Sequence, residues 1–258
     1  MKRILLSLLI FTCILLTGCI KKEEKSQIAQ IMERGHLIVG VSDNSKPFGF
    51  TDEITKEYEG FDIDIAKEIA KDIVGNERKI EFIPVTPASR IEAITSGKVD
   101  MVIATMTITP QRQYLIDFSE PYYVAGQTAI VKSDSNIHHF ADLRKKTTIV
   151  VLGTTSEQNI RRIIPMAKLS GYMDYTEAFQ AFKEGHADAI STDNTILTGF
   201  LMDNKGYRIL RNKISHEPYG VGMKKNDNDP SLKRNVNITI KRIQKDGTLK
   251  ALKNKWEV

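Results

Sequence analysis

Arg112 and Asp193 are two residues whose chemistry and placement call for a ligand. A guanidinium fork fits a carboxylate and a carboxylate fits an ammonium, so together they complement the two charged groups of an α-amino acid. Arg112 falls at the third position of a helix that Thr109 caps and Pro110 begins. A cation there opposes the helix dipole by about 0.3–1 kcal/mol, so its placement calls for a nearby anion. Thr86-Pro87 followed by Arg90 repeats the arrangement. Either arginine alone is also readable as a solvated surface side chain, like most of the 37 Lys and Arg, and Asp193 alone as a helix N-cap. Gly153-Thr154-Thr155-Ser156 opens a further helix with capping-box spacing, Thr154 to Glu157 or Thr155 to Gln158. Amides at such an N-terminus attract a carboxylate, although a cap alone accounts for the pattern equally well. No Gly-Lys-Ser/Thr follows, so it is not a phosphate loop.

The elements that must position these residues alternate short β-rich runs with helical ones, the pattern of parallel sheets covered by helices in an α/β protein. His36 to Val41 reads as a strand. Gly60 to Val74 reads as an amphipathic helix with Phe61, Ile65, Ile69 and Ile73 on one face, Asp62 and Asp64 at its positive end and Gly75 as its stop. Further strands are expected at Lys79 to Val85, Val99 to Thr105, Thr147 to Leu152 and Ala187 to Thr192, with helices near Pro87 to Ser96 and Thr176 to Glu184. Gly97 to Asp100 and Gly185 to Asp188 form a weak internal echo, implying two lobes of similar build. Tyr122 to Ala125 and Ser215 to Val221 are the candidate hinge strands between them. Ligands of open α/β sheets sit beyond the carboxyl ends of strands. There the sequence places Asp43 and Lys46, then Thr105, Thr107 and Arg112, then Thr155, then Asp193.

Ahead of the first strand, Lys2 and Arg3 precede an apolar run from Ile4 to Leu16, shorter than the ~20 residues of a membrane-spanning helix and followed by small residues, as in a signal peptide. Leu16-Thr17-Gly18-Cys19 resembles a lipoprotein lipobox, with residues 1–18 removed and Cys19 lipidated. Residues 19–35 are then expected to be the lipidated N-terminus and a tether, polar from Lys21 to Gln27. Cys13 leaves with the signal, so neither a disulfide framework nor a cysteine-ligated metal site is expected. Loss of Lys2 and Arg3 lowers the formal charge from +5 to +3, with no basic stripe to suggest nucleic acid. The composition, 41% hydrophobic and 27% charged over 258 residues, suits a globular chain.

Several stretches carry a resemblance: GFDIDIAKEIA (60–70), SGKVDMVIATMTITPQR (96–112), IDFSEPYY (116–123), VVLGTTSE (150–157) and YGVGMKK (219–225). In these the chain resembles family 3 of the extracytoplasmic solute-binding proteins, the lipid-anchored substrate receptors of polar amino-acid ABC transporters. The resemblance implies the two-lobed periplasmic-binding-protein-like fold of type II: two mostly parallel sheets covered by helices and joined by two hinge strands. Lobe 1 is expected at 36–123 with 216–258, and lobe 2 at 124–215. It implies an amino-acid ligand, permease subunits as partners, an extracytoplasmic monomer and no cofactor. Arg112 would take the α-carboxylate, assisted by Thr105, Thr107 and Thr155, and Asp193 the α-ammonium. The likeness is nearest to aspartate/glutamate binders, in which Lys46 and Arg90 would hold a side-chain carboxylate, and two unpaired buried cations would be costly. Glutamine and cysteine binders remain the alternative.

An enzyme of the dehydratase kind on the same scaffold would need a general acid or base in the cleft. None of His36, His138, His139, His186 or His216 lies at a strand-end match, and Glu157 and Glu217 read as cap and hinge residues. Phe179, Phe182 and Phe200 recur at helical spacing and read as core.

Overall fold

The computed structural model describes residues 25–258. The expected signal segment and Cys19 lie outside these residues. The tether is shorter than the sequence suggested, because Gln27–Arg34 forms a helix, α1, capped by Ser26 and stopped by Gly35 in the left-handed conformation. Its Ile31 is buried in the first lobe, and this apolar contact holds the residues after the polar Lys21 to Gln27 stretch in a packed helix.

The chain continues through β1 (Leu37–Val41), β2 (Asn44–Ser45), β3 (Gly49–Thr51), β4 (Tyr58–Glu59) and α2 (Phe61–Val74). The four apolar positions read as one face of α2 are all buried. Next come β5 (Ile80–Pro84), α3 (Arg90–Thr95), β6 (Met101–Ile103), α4 (Pro110–Leu115), β7 (Ile116–Phe118) and β8 (Tyr123–Ala125). The second lobe holds β9 (Gln127–Lys132), β10 (Thr147–Val151), α5 (Ser156–Ile163), β11 (Lys168–Tyr172), α6 (Tyr175–Lys183), β12 (Ala189–Asp193), α7 (Asn194–Asp203) and β13 (Tyr207–Ile209). The chain returns through β14 (Glu217–Tyr219) and β15 (Gly222–Lys224) to α8 (Ser231–Lys245) and α9 (Thr248–Trp256).

Two five-stranded sheets result, ordered β5-β1-β6-β15-β7 and β11-β10-β12-β9-β13. In each, four strands run one way and one runs against them: β15 in the first sheet and β9 in the second. Both reversed strands directly follow a segment that crosses between lobes, and those segments, β8 and β14, pair antiparallel with each other. Apolar clusters cover both faces of each sheet. The aspartate echo has a shared cause: Asp100 accepts the backbone N–H of Ile38 at 2.7 Å, and Asp188 that of Thr147 at 2.9 Å. Each ties the start of its strand to a neighbouring strand.

Candidate ligand-binding site

The strand ends of both sheets face one buried cluster. Thr109 caps α4 by accepting the backbone N–H of Arg112, which fixes that side chain at the end of the β6 segment. The Arg112 guanidinium donates to the Thr107 carbonyl at 2.7 Å and to the Gly153 carbonyl at 2.9 Å, the latter in the other lobe. Arg90, the first residue of α3, donates to the Ala104 carbonyl at 2.8 Å and reaches the same Gly153 oxygen at 3.4 Å. Two like charges thus converge on one carbonyl. Burial, with Arg90 as the next cause, pushes the Arg112 guanidinium down to about 9, and burial also lowers Arg90. A buried pair of this kind is stabilised by an anion set between its members.

Asp193 ends β12 at the N-terminus of α7, yet makes no side-chain cap bond. Its Oδ2 instead accepts the Tyr219 hydroxyl at 2.6 Å, so the plain cap reading does not hold. Burial and then the Glu217 charge raise its carboxyl to about 7, against the pull of Tyr219, Arg90 and Arg112. Among the described residues, neither Asp193 Oδ1 nor Arg90 Nε, both buried, has a hydrogen-bond partner. Buried polar atoms are nearly always paired, so one unfilled acceptor and one unfilled donor in the same cluster mark where a ligand's donor and acceptor would sit.

The threonines divide by role. Thr105 has a left-handed backbone (φ 46°), a strained state for a β-branched residue, and its N–H is taken by Asp62 Oδ2 at 2.8 Å. Thr107 bridges to Tyr219 and offers its carbonyl to Arg112. Thr155 donates its hydroxyl to Glu217 at 3.0 Å. The capping box expected at α5 is not formed, since Thr155 makes no side-chain cap bond and Thr154 accepts from the N–H of Ser156 two residues on. Glu157 pairs with Arg161 on the helix surface instead.

Lys46 and Asp43 are not part of the buried cluster. Lys46 lies at the cleft rim, paired with Asp203 of the opposite lobe at 3.3 Å and placed 5.4 Å over the Phe50 ring; Asp43 is exposed in the same groove. Lys46 and Arg90, expected to act together on one side-chain carboxylate, are thus held apart: Arg90 lies in the buried cluster and Lys46 is paired with Asp203 at the rim. Phe182 and Phe200 are core residues as expected, while Phe179 stacks on Phe200 at 4.1 Å and also lines the rim.

Several residues of the cluster escaped the sequence reading. Asp62 looked like a helix-dipole residue but is fully buried, binds Thr105 and the Tyr122 hydroxyl (2.9 Å), and has its carboxyl raised to about 6 by burial. Glu217 is more than a hinge residue: it accepts from Thr155 and, at 3.1 Å, from Asn159 of α5. Tyr175 donates to or accepts from Thr192 at 3.1 Å beside the arginines. The clue available in sequence was an aspartate inside an otherwise apolar helix face. Among the described residues no group of His, Cys, Asp and Glu could hold a metal ion, and no helix is long and apolar enough to cross a membrane.

The family described as bacterial extracellular solute-binding proteins, family 3, matches residues 37–258. The ABC transporter glutamine-binding protein of Bacillus subtilis is 39% identical over 257 residues, 96% of this chain and 93% of that one. A glutamine-binding protein of Geobacillus stearothermophilus is 45% identical over 199 residues, 77% of this chain and 76% of that one. The solved cysteine-binding protein of Campylobacter jejuni superposes with a TM-score of 0.85 at 31% identity, covering 90% of this chain and 93% of that one. The architecture is thus the two-lobed, periplasmic-binding-protein-like fold. The expected nearness to aspartate/glutamate binders is corrected by these relatives, two of which are named for glutamine.

Proposed function

Because this chain belongs to the bacterial extracellular solute-binding proteins of family 3, we propose that it captures glutamine between its lobes and presents it unaltered to the permease of an ABC importer. The observation that carries this reading is the pair of unpartnered buried atoms, Asp193 Oδ1 and Arg90 Nε. Asp193 takes the α-ammonium and Arg112 the α-carboxylate, with Thr105, Thr107 and Thr155 lining the same space. Arg90 Nε then gives one hydrogen bond to the side-chain carbonyl.

Charge balance favours an amide over a carboxylate there. Lys46 is partnered by Asp203, and Arg90 already lies in the field of Asp193 and Asp62. An uncharged side chain keeps that balance, whereas a second carboxylate would bring a negative charge with a single cation to meet it. The capture step moves residues 124–215 against 36–123 with 216–258, about the β8–β14 pair. Cys19 is proposed as the lipid anchor that keeps the monomer at the extracytoplasmic face.

Titration calorimetry across the common amino acids tests the ligand. Glutamine is expected to bind most tightly and to be recovered unchanged after long incubation. Aspartate or glutamate binding tenfold more tightly than glutamine would overturn the amide reading, and conversion of the ligand would overturn the binding role.

A further inference from the structure

Two glycines of the second lobe meet the backbone of the first. A Cβ on Gly153 would lie 2.6 Å from the Pro87 carbonyl oxygen and 2.7 Å from the Ala88 nitrogen, but the φ of +78° there calls for glycine in any case. Gly199 is different. It stands inside α7, in ordinary helical backbone, where alanine is the better helix former. What excludes alanine is the other lobe: a Cβ on Gly199 would fall onto the Lys46 carbonyl oxygen, with the carbonyl carbon 2.6 Å away.

The obstructing atoms belong to a braced segment. Ser45 is hydrogen-bonded to Ser42 at 2.7 Å, and Phe48 is fully buried against Phe61, Tyr123 and Tyr219. Around this point the lobes also touch through Lys46–Asp203 and through Asn44–Thr176, each at 3.3 Å.

Resting on the reading of capture by lobe closure, we propose that Gly199 is the seat on which the lobes close, a helical position left without a side chain so that α7 can lie on the Lys46 carbonyl. A single methyl there holds the lobes apart, so Arg112 and Asp193 no longer reach one ligand together. In the open form Gly199 faces no such neighbour, and the substitution leaves the second lobe intact. Gly199 is therefore a positioning residue, acting on affinity through the extent of closure.

The test compares Gly199→Ala with Thr198→Ala, an exposed neighbour on the same helix. Gly199→Ala is expected to bind glutamine at least roughly 100-fold more weakly than the parent, while Thr198→Ala stays within about twofold and the ligand-free melting temperature of Gly199→Ala is unchanged or higher. Closure is read independently of the ligand by placing Asn44→Cys with Thr176→Cys and following the 44–176 disulfide by peptide mass mapping. The bond is expected to form at least tenfold more slowly when Gly199→Ala is added. Equal cross-linking rates, or parent-like affinity in Gly199→Ala, overturn the proposal. If the parent binds no amino acid, the functional reading falls while the cross-linking rates still decide the role of Gly199.

Discussion

Lowering the pH from 8 to 5 should weaken capture of glutamine through one group, Asp193. Only its ionised form can hold an ammonium, and burial together with the Glu217 charge sets its carboxyl at about 7. The apparent dissociation constant scales as one plus the ratio of protonated to ionised carboxyl. That factor climbs from near unity at pH 8 to roughly 100 at pH 5, about 2.7 kcal/mol of affinity at 1.36 kcal/mol per tenfold change. Calorimetry reads this twice, as a falling affinity and as release of about half a proton per ligand bound at pH 7 in buffers of different ionisation enthalpy. Asp193→Asn should bind weakly at every pH and release no proton. A parent affinity that is flat from pH 5 to 8, with no proton release, would refute the reasoning.

The ligand-free protein should respond to pH in the opposite sense. The Asp193 and Asp62 carboxyls, at about 7 and about 6, lie above their ordinary value of 3.8, so their stabilisation is full below 3.8 and lost as pH rises through 6 and 7. Melting without ligand should be higher at pH 5 than at pH 8, with glutamine narrowing the gap. With Arg112 in its proposed role as partner of the α-carboxylate, Arg112→Ala should lower affinity by roughly 2–5 kcal/mol in calorimetry, the cost of leaving that carboxylate buried without a cation. Lys46→Ala should lower it by less than about 1 kcal/mol, and less again in high salt, since the Asp203 pair is half exposed. Asp62→Ala should destabilise the fold by roughly 1–3 kcal/mol in chemical denaturation for each donor it strands, Thr105 N–H and Tyr122 Oη.

Local pattern carried much of the fold into the sequence. The period of apolar residues located α2, the Thr-Pro pair located α4, and the strand-end rule brought Arg112 and Asp193 into one cluster although 81 residues separate them. What stayed hidden depends on contacts between distant segments. Asp62 is defined by Thr105 and Tyr122, 43 and 60 residues away, and only those partners turn a helix-end carboxylate into a buried support. Lys46 shows the reverse: its position after a strand suggested the pocket, but a reach of 157 residues to Asp203 keeps it at the rim. The capping box at α5 gave way to a tertiary bond, because the Thr155 hydroxyl finds Glu217 at the hinge.

The place of β15 also bears on how the chain can be made. The second sheet draws its strands from the continuous stretch 127–209, whereas β15 enters the first sheet between β6 and β7. Synthesis proceeds from the N-terminus, so the lobe begun first is the one completed last. Until residues 222–224 emerge, β6 and β7 lack the strand that joins them, and the apolar face of α2 lacks Val236 and Ile240 of α8. The second lobe can therefore gather its core while the first is still open. A chain ended before β15 would forfeit the strand that links β6 to β7 and leave the second sheet with its full set of strands.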